Sequence, residues 1–216
     1  MSMDHVKYPK TPHFLWSESL QNDDRRIDSL DKFIGQQIVV SEKLDGENTG
    51  MTSQRCHARS LDSKHHPSRN LVKQLHATIS PQIPDGWKLF GENVYAKHTV
   101  FYEKLTAYFY LFSIWDESQR CLSWKDTEEW AEILGVKTVP VLYQGIWDET
   151  KIKSCWSGKS FFGGSQEGYV VRLASGFSLE DFPLSIGKFV SAEFKNNMSD
   201  VHWAQTEVIP NLMETK

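Results

Sequence analysis

The sequence predicts an α+β domain built mainly from antiparallel sheets with interspersed helices. Three observations lead there. Short apolar runs bounded by turn residues recur along the chain, two segments carry helical spacing, and no linker or low-complexity tract divides the chain in two. The first strand is read at Gln37 to Lys43, entering the turn Asp45-Gly46, with one or two further strands within Met51 to Ser60. From Ser68 to Ile79, Leu71, Val72, Leu75 and Ile79 recur at helical spacing, which predicts a helix. Lys88 to Val94 and Ala107 to Trp115 read as strands. Ser123 and Asp126 form a capping box that opens a helix carrying Trp130, Ile133 and Leu134 and ending at Gly135. Thr138 to Tyr143, Gly168 to Leu173 and Ile186 to Ala192 complete the strands.

A chain of 216 residues is sufficient for one good-sized domain and short for two, so residues 1–216 are expected to form a single unit. With 39% hydrophobic residues, eight Trp and twelve Phe, it can fill a core with aromatics and needs neither disulfides nor a structural metal. The net charge of −4 and pI near 6.1 argue against a tight, non-specific nucleic-acid binder. Cys56, Cys121 and Cys155 stand far apart without a CxxC pair, which fits reduced thiols and a cytoplasmic protein. Neither a signal core nor a run of transmembrane length is present, so no membrane role is expected.

The most informative stretch is Ser41-Glu42-Lys43-Leu44-Asp45-Gly46-Glu47-Asn48. A lysine at the end of an apolar strand, just before a tight Asp-Gly turn, projects from a rigid edge into a cleft mouth, where a nucleophile is useful. An unperturbed lysine is the free amine in only about one molecule in 2,500 at neutral pH. Activating it needs desolvation or a nearby positive charge such as a metal ion. A surface hairpin with a solvated lysine would carry the same four letters, so the rest of the chain decides between the two.

Lys43-Leu44-Asp45-Gly46 resembles motif I of the covalent nucleotidyltransferases, the group of ATP-dependent DNA and RNA ligases and mRNA capping enzymes. Further motifs of that group follow in order: Arg59 within His57-Ala58-Arg59-Ser60, Leu89-Phe90-Gly91-Glu92, Phe109 to Ile114, Glu167 to Arg172, and Gly187-Lys188-Phe189-Val190. Asn48, in the KxxGxN form of motif I, brings the likeness closest to the RNA ligases, among them the catalytic domain of phage T4 RNA ligase 2. Tyr8 to His13, His57 to Arg69 and Val201-His202-Trp203 resemble a compact RNA ligase family of cellular organisms.

The resemblance implies a ligase-type adenylation domain that uses ATP and Mg²⁺ or Mn²⁺, with Lys43 and Lys188 catalytic. It implies nucleotide contacts from Glu42, Asn48, Arg59, Glu92, Phe112 and Lys188, with Glu167 on the metal. Phe112 would stack on the purine and Glu92 would accept ribose hydroxyls. The implied partner is RNA with a 5′-phosphate and a 3′-hydroxyl, in an RNA-repair setting. Departures are Ser113, where an acidic residue is common, and Ile186 and Val190 flanking Lys188, where a second lysine is common. The stretch after Lys188 is expected to be too short for an OB-fold or helical domain, which leaves room for a protein partner in gripping RNA. The alternatives are a DNA nick ligase or other nucleotidyltransferase, or a non-catalytic nucleotide- or RNA-binding module of the same fold. His65-His66-Pro67-Ser68-Arg69 is either a phosphate-contacting loop or a helix-initiating turn, and Lys195 is left without a role.

Overall fold

In the computed structural model, residues 7–20, 24–59, 65–197 and 207–215 are described. The strands are β1 (Gln37–Lys43), β2 (Glu47–Met51), β3 (Cys56–Ala58), β4 (Lys88–Asn93), β5 (Phe109–Trp115), β6 (Arg120–Cys121), β7 (Lys137–Thr138), β8 (Val141–Ile146), β9 (Gly168–Leu173), β10 (Phe177–Ser178) and β11 (Ile186–Val190). The helices are α1 (Asn70–Ile79), α2 (Trp124–Leu134), α3 (Glu149–Ser154), α4 (Phe182–Ser185) and α5 (Ala192–Asn196). One sheet runs β11-β9-β1-β8, and the other runs β10-β6-β5-β4-β2-β3 with β7 beside β5. Every pairing between these strands is antiparallel except β5 with β7, so the expected α+β architecture stands.

Alternation along the strands explains the layering. On β1, Val39 packs with Tyr110 of β5 and Val190 of β11, in a core shared by the two sheets. Ile38 and Val40 point the other way, onto Phe14, Phe33 and Ile152. The far side of the second sheet buries Met51, Leu89 and Leu111 against Val72 and Ile79 of α1 and Ala131 and Leu134 of α2. The order of layers is therefore α1 and α2, second sheet, first sheet, then α3 with the amino-terminal segment.

Several expected boundaries shift for identifiable reasons. The strand after the Asp-Gly turn starts at once, at Glu47, and β3 follows at Cys56. The strand expected over Thr138 to Tyr143 is broken between β7 and β8. Val139 still donates to Leu111 O, but Pro140 has no N–H and only accepts from Glu42, so the chain crosses there from one sheet to the other. Ile186 to Ala192 ends as a strand at Val190, because Ser191 caps α5 by accepting from Phe194 N. Ser123 does cap α2, but the face that helix buries is Trp124, Thr127, Ala131 and Leu134, and Ile133 is exposed.

Gly46 and Gly168, both beside the Lys43 strand end, are demanded by close approach of backbone. A Cβ on Gly46 would stand 2.5 Å from Asn93 O, and one on Gly168 would stand 2.0 Å from Phe189 O. Gly168 lies directly opposite Lys43 across β1 and β9. A Gly168→Ala variant should cost about 1–3 kcal/mol of stability, because backbone and not a flexible side chain must move. The check is the urea midpoint beside wild type; an unchanged midpoint would contradict the tight β9–β11 approach.

Candidate active site

The cleft between the sheets gathers its charged residues by register. Lys43 ends β1 opposite Gly168, which brings the preceding residue, Glu167, alongside it. Lys43 Nζ lies 2.6 Å from Glu167 Oε1. Lys188 sits on β11 opposite Val170, on the same inward face as Ile186 and Val190. From the other sheet, Glu92 on β4 stands opposite Asn48 on β2, and Arg59 N donates to Asn48 O at 2.9 Å.

Phe112 reaches the cleft through a β-bulge. The β4–β5 register steps from Gly91↔Leu111 to Phe90↔Ser113, which leaves Phe112 unpaired and re-aims its ring. The ring is half-buried, edge-on to Tyr8 at 5.1 Å, and Tyr8 also packs on Phe90 and Phe182. Glu42 is directed elsewhere. It shares the face of β1 with Val40, its Oε2 accepts from Phe161 N at 2.9 Å, and its Oε1 is buried without a hydrogen-bond partner.

Electrostatics at the site are dominated by burial. Burial opposes charge on Lys43, but Glu167, Glu92 and Asp45 outweigh it, and its pKa is raised above the ordinary lysine value. The desolvation anticipated as an activator is thus over-compensated, and the amine is held as an ammonium. Burial lifts Glu167 to about 7 against the pull of Lys43. It lifts Glu92 to about 8, again against Lys43 and with Glu167 adding to the rise. Lys188 is lowered, first by burial and then by the Lys43 charge. Its ammonium lies 3.7 Å from Asp24 Oδ1, and Asp24 Oδ2 meets His13 Nε2 at 3.1 Å. Burial, followed by the charge of Lys188, lowers His13 to about 4, so it is neutral at pH 7.

Other residues around the site take places that the sequence did not assign to them one by one. Asp45 read as a turn residue, yet it is buried and its Oδ2 accepts from both Thr99 N and Val100 N at 2.7 Å. Asp24 and His13 join the site because the segment around Pro12 to Phe14 lies along β11, with Lys188 N donating to Pro12 O and Phe14 N to Lys188 O. His66 and Arg69 favour the helix-initiating turn. His66 caps the 3-10 turn Pro67–Arg69, and Arg69 Nε donates to Glu47 Oε2 at 2.6 Å. Ser113 Oγ lies 3.4 Å from Cys121 Sγ, and Lys195 is exposed on α5. Ser60 and Val201-His202-Trp203 lie outside the described residues.

Glu167 Oε2 is buried and has no hydrogen-bond partner, an oxygen donor of the kind a hard cation takes. Among the described residues no group of three or more His, Cys, Asp or Glu could hold a metal by itself. The site therefore fits Mg²⁺ or Mn²⁺, which keep waters and share phosphate oxygens, better than an ion needing a full protein cage.

Two mainly antiparallel sheets around a strand-end lysine, buried Glu167, half-buried Glu92 and a second lysine make the fold of a nucleotidyltransferase, or adenylation, domain. The RNA ligase family model matches residues 36–190. The chain belongs to the RNA ligase family. Among solved structures it resembles Naegleria gruberi RNA ligase. An apo aspartate-to-alanine variant of that ligase is 19% identical with a TM-score of 0.56, covering 88% of this chain and 59% of that one. The ligase with pyrophosphate is 17% identical at 0.56, over 89% and 63%. A lysine-to-alanine variant with ATP and Mn is 17% identical at 0.57, over 90% and 63%. The chain spans about three fifths of the length of these proteins. No curated protein sequence matches it.

Glu92 generates a pH prediction. Its pKa rises on folding from 4.5 to about 8, so the folded state binds that proton more tightly. The resulting stability is complete below pH 4.5 and declines as pH rises through about 8. Melting temperature followed from pH 5 to 9 should fall less steeply in Glu92→Gln than in wild type; parallel curves would contradict the raised value.

Proposed function

We propose that the protein is an ATP-dependent RNA ligase in which Lys43 becomes covalently adenylated. The observation that carries this reading is the contact of Lys43 with Glu167 at 2.6 Å in a cleft that also holds Glu92 and Lys188. A binding module would not need all four. Membership of the RNA ligase family and likeness to a ligase solved with ATP and Mn support the choice of nucleotide and metal.

ATP enters with its α-phosphate toward Lys43. The Lys43 ammonium gives its proton to solvent water, and the freed nitrogen lone pair forms a bond to the α-phosphorus. The bond to the bridging oxygen breaks, pyrophosphate leaves with the electron pair, and AMP remains on Lys43. Lys188, a half-buried cation on β11, holds the α-phosphate and offsets charge that grows in the transition state. Glu167 is the residue that would hold Mg²⁺ or Mn²⁺, whose chemistry is to neutralise the phosphates as a Lewis acid. Glu92 and Arg59 hold the ribose or phosphate side, with Asn48 between them in the sheet, and Phe112 offers its ring to the purine. Glu42 contributes by fixing the Phe161 backbone beside the end of β1. In the second step an RNA 5′-phosphate oxygen takes AMP from Lys43. In the third a 3′-hydroxyl attacks that end, AMP departs, and the phosphodiester is sealed. The setting we propose is RNA repair in the cytoplasm, on breaks with a 5′-phosphate and a 3′-hydroxyl, by a nucleotidyltransferase domain.

The test is label transfer from α-phosphate-labelled ATP with Mg²⁺ or Mn²⁺, read on a denaturing gel. Wild type should carry label, Lys43→Ala should carry none, and Lys188→Ala should be slower by about 100-fold or more. Labelled protein should then pass AMP to 5′-phosphorylated RNA in preference to nicked DNA. Folded protein without label would leave the non-catalytic module, and preference for nicked DNA would replace RNA as substrate.

A further inference from the structure

The segment between β4 and β5 touches the catalytic turn on one side and the carboxy-terminal residues on the other. On the inner side, Thr99 N and Val100 N both donate to Asp45 Oδ2 at 2.7 Å, and Asp45 N donates to the Tyr102 hydroxyl at 2.7 Å. Asp45 lies two residues past Lys43, so these three bonds fix the turn from which the lysine projects. On the outer side stands Asn211, which is 1% exposed. Its Nδ2 donates to Val94 O at 2.8 Å, and its Oδ1 accepts from Tyr102 N at 2.9 Å. Its backbone N–H donates to Tyr95 O at 2.8 Å, and its carbonyl accepts from the Tyr108 hydroxyl at 3.2 Å. Leu212 extends the strap, donating to Tyr102 O and accepting from Leu105 N, both at 2.9 Å.

We infer that Asn211 is a positioning residue for Lys43, acting through the 94–102 segment and Asp45. One side chain bonds both Val94 and Tyr102, which bracket the two amides that hold the Asp45 carboxylate. Removing it leaves a buried carbonyl and a buried amide without partners, and the segment relaxes to recover them. The Asp45 carboxylate then loses aligned donors, and the lysine loses the orientation that in-line attack requires. Val94, Val100, Tyr102 and Leu105 also anchor the segment by apolar packing. A purely structural Asn211 would therefore lower stability and leave the active site as it is.

The experiment compares Asn211→Ala, Asn211→Asp and Leu212→Ala with wild type, each assayed well below its melting temperature and per folded molecule. Leu212 is the control, since its side chain is 52% exposed and its bonds are made by the backbone. Resting on the ligase reading, Asn211→Ala should lower the rate of Lys43 adenylation at saturating ATP by about 10- to 100-fold with little change in KM. Asn211→Asp keeps an acceptor for Tyr102 N but sets a carboxylate oxygen against Val94 O, so it should lower the rate at least as far as alanine does; whichever of the two folds carries the test. Leu212→Ala should match wild type. A second readout needs no activity: acylation of Lys43 by a small amine reagent, mapped by mass spectrometry against the 84%-exposed Lys125. That ratio should rise severalfold in Asn211→Ala. Folded Asn211 variants with wild-type adenylation, or with an unchanged acylation ratio if wild type does not label, would overturn the inference. Absence of label in wild type alone bears only on the ligase reading.

Discussion

The ion pair between Lys43 and Glu167 is the constraint on which the rest of the structure depends. Two charges withdrawn from water are costly, and their mutual attraction offsets that cost only where the geometry is good. Glu167 is buried with its second oxygen unpartnered, and Lys43 is mostly enclosed. The fold holds this arrangement through the β1–β9 register, which in turn needs Gly168, because β11 passes too close for any side chain there. Glu92 adds a second carboxylate from the opposite sheet, and its raised pKa measures how poorly the cleft solvates another negative charge.

The same economy organises the surroundings. Lys188 does not stand alone on β11: Asp24 and His13 reach it because the amino-terminal segment lies along that strand. Asp45 spends its carboxylate on two backbone amides of the 94–102 segment and leaves its charge to act on Lys43. The cleft is thus a set of paired charges held by backbone registers, with a hydrogen-bonded strap behind it. On the proposed reading, a polyanion and a divalent ion would take over these internal pairings.

Much of this was legible in the residue order. β1 and β9 are found at their expected limits because each centres on a short apolar stretch, Ile38 to Val40 and Tyr169 to Val171, with a charge or a glycine at one end. α2 is legible from its Ser123 cap. Lys43, Glu92, Glu167 and Lys188 are singled out by the resemblance of their motifs; Lys43 ends β1, Glu167 precedes β9, and Glu92 and Lys188 lie on β4 and β11. What was not legible depends on distant partners. β6 and β10 have two residues each and exist only as extensions of the second sheet, β6 on β5 and β10 on β6. The Phe112 bulge follows from a register step against β4, and Glu42 was assigned to the nucleotide from its neighbours while its carboxylate follows the other face. Asn211 bonds groups 117 and 109 residues away, a distance no local pattern crosses.

The central claim is that Glu167 keeps Lys43 as an ammonium inside the cleft, and it is tested most directly by titrating the lysine itself. NMR of ¹³C-labelled lysine ε-methylenes, with Lys43→Arg to assign the signal, would give its pKa in wild type and in Glu167→Gln. The account predicts a wild-type value above that of exposed lysines, falling when the carboxylate is removed. A wild-type Lys43 that titrates at or below the ordinary lysine value, unchanged in Glu167→Gln, would contradict it.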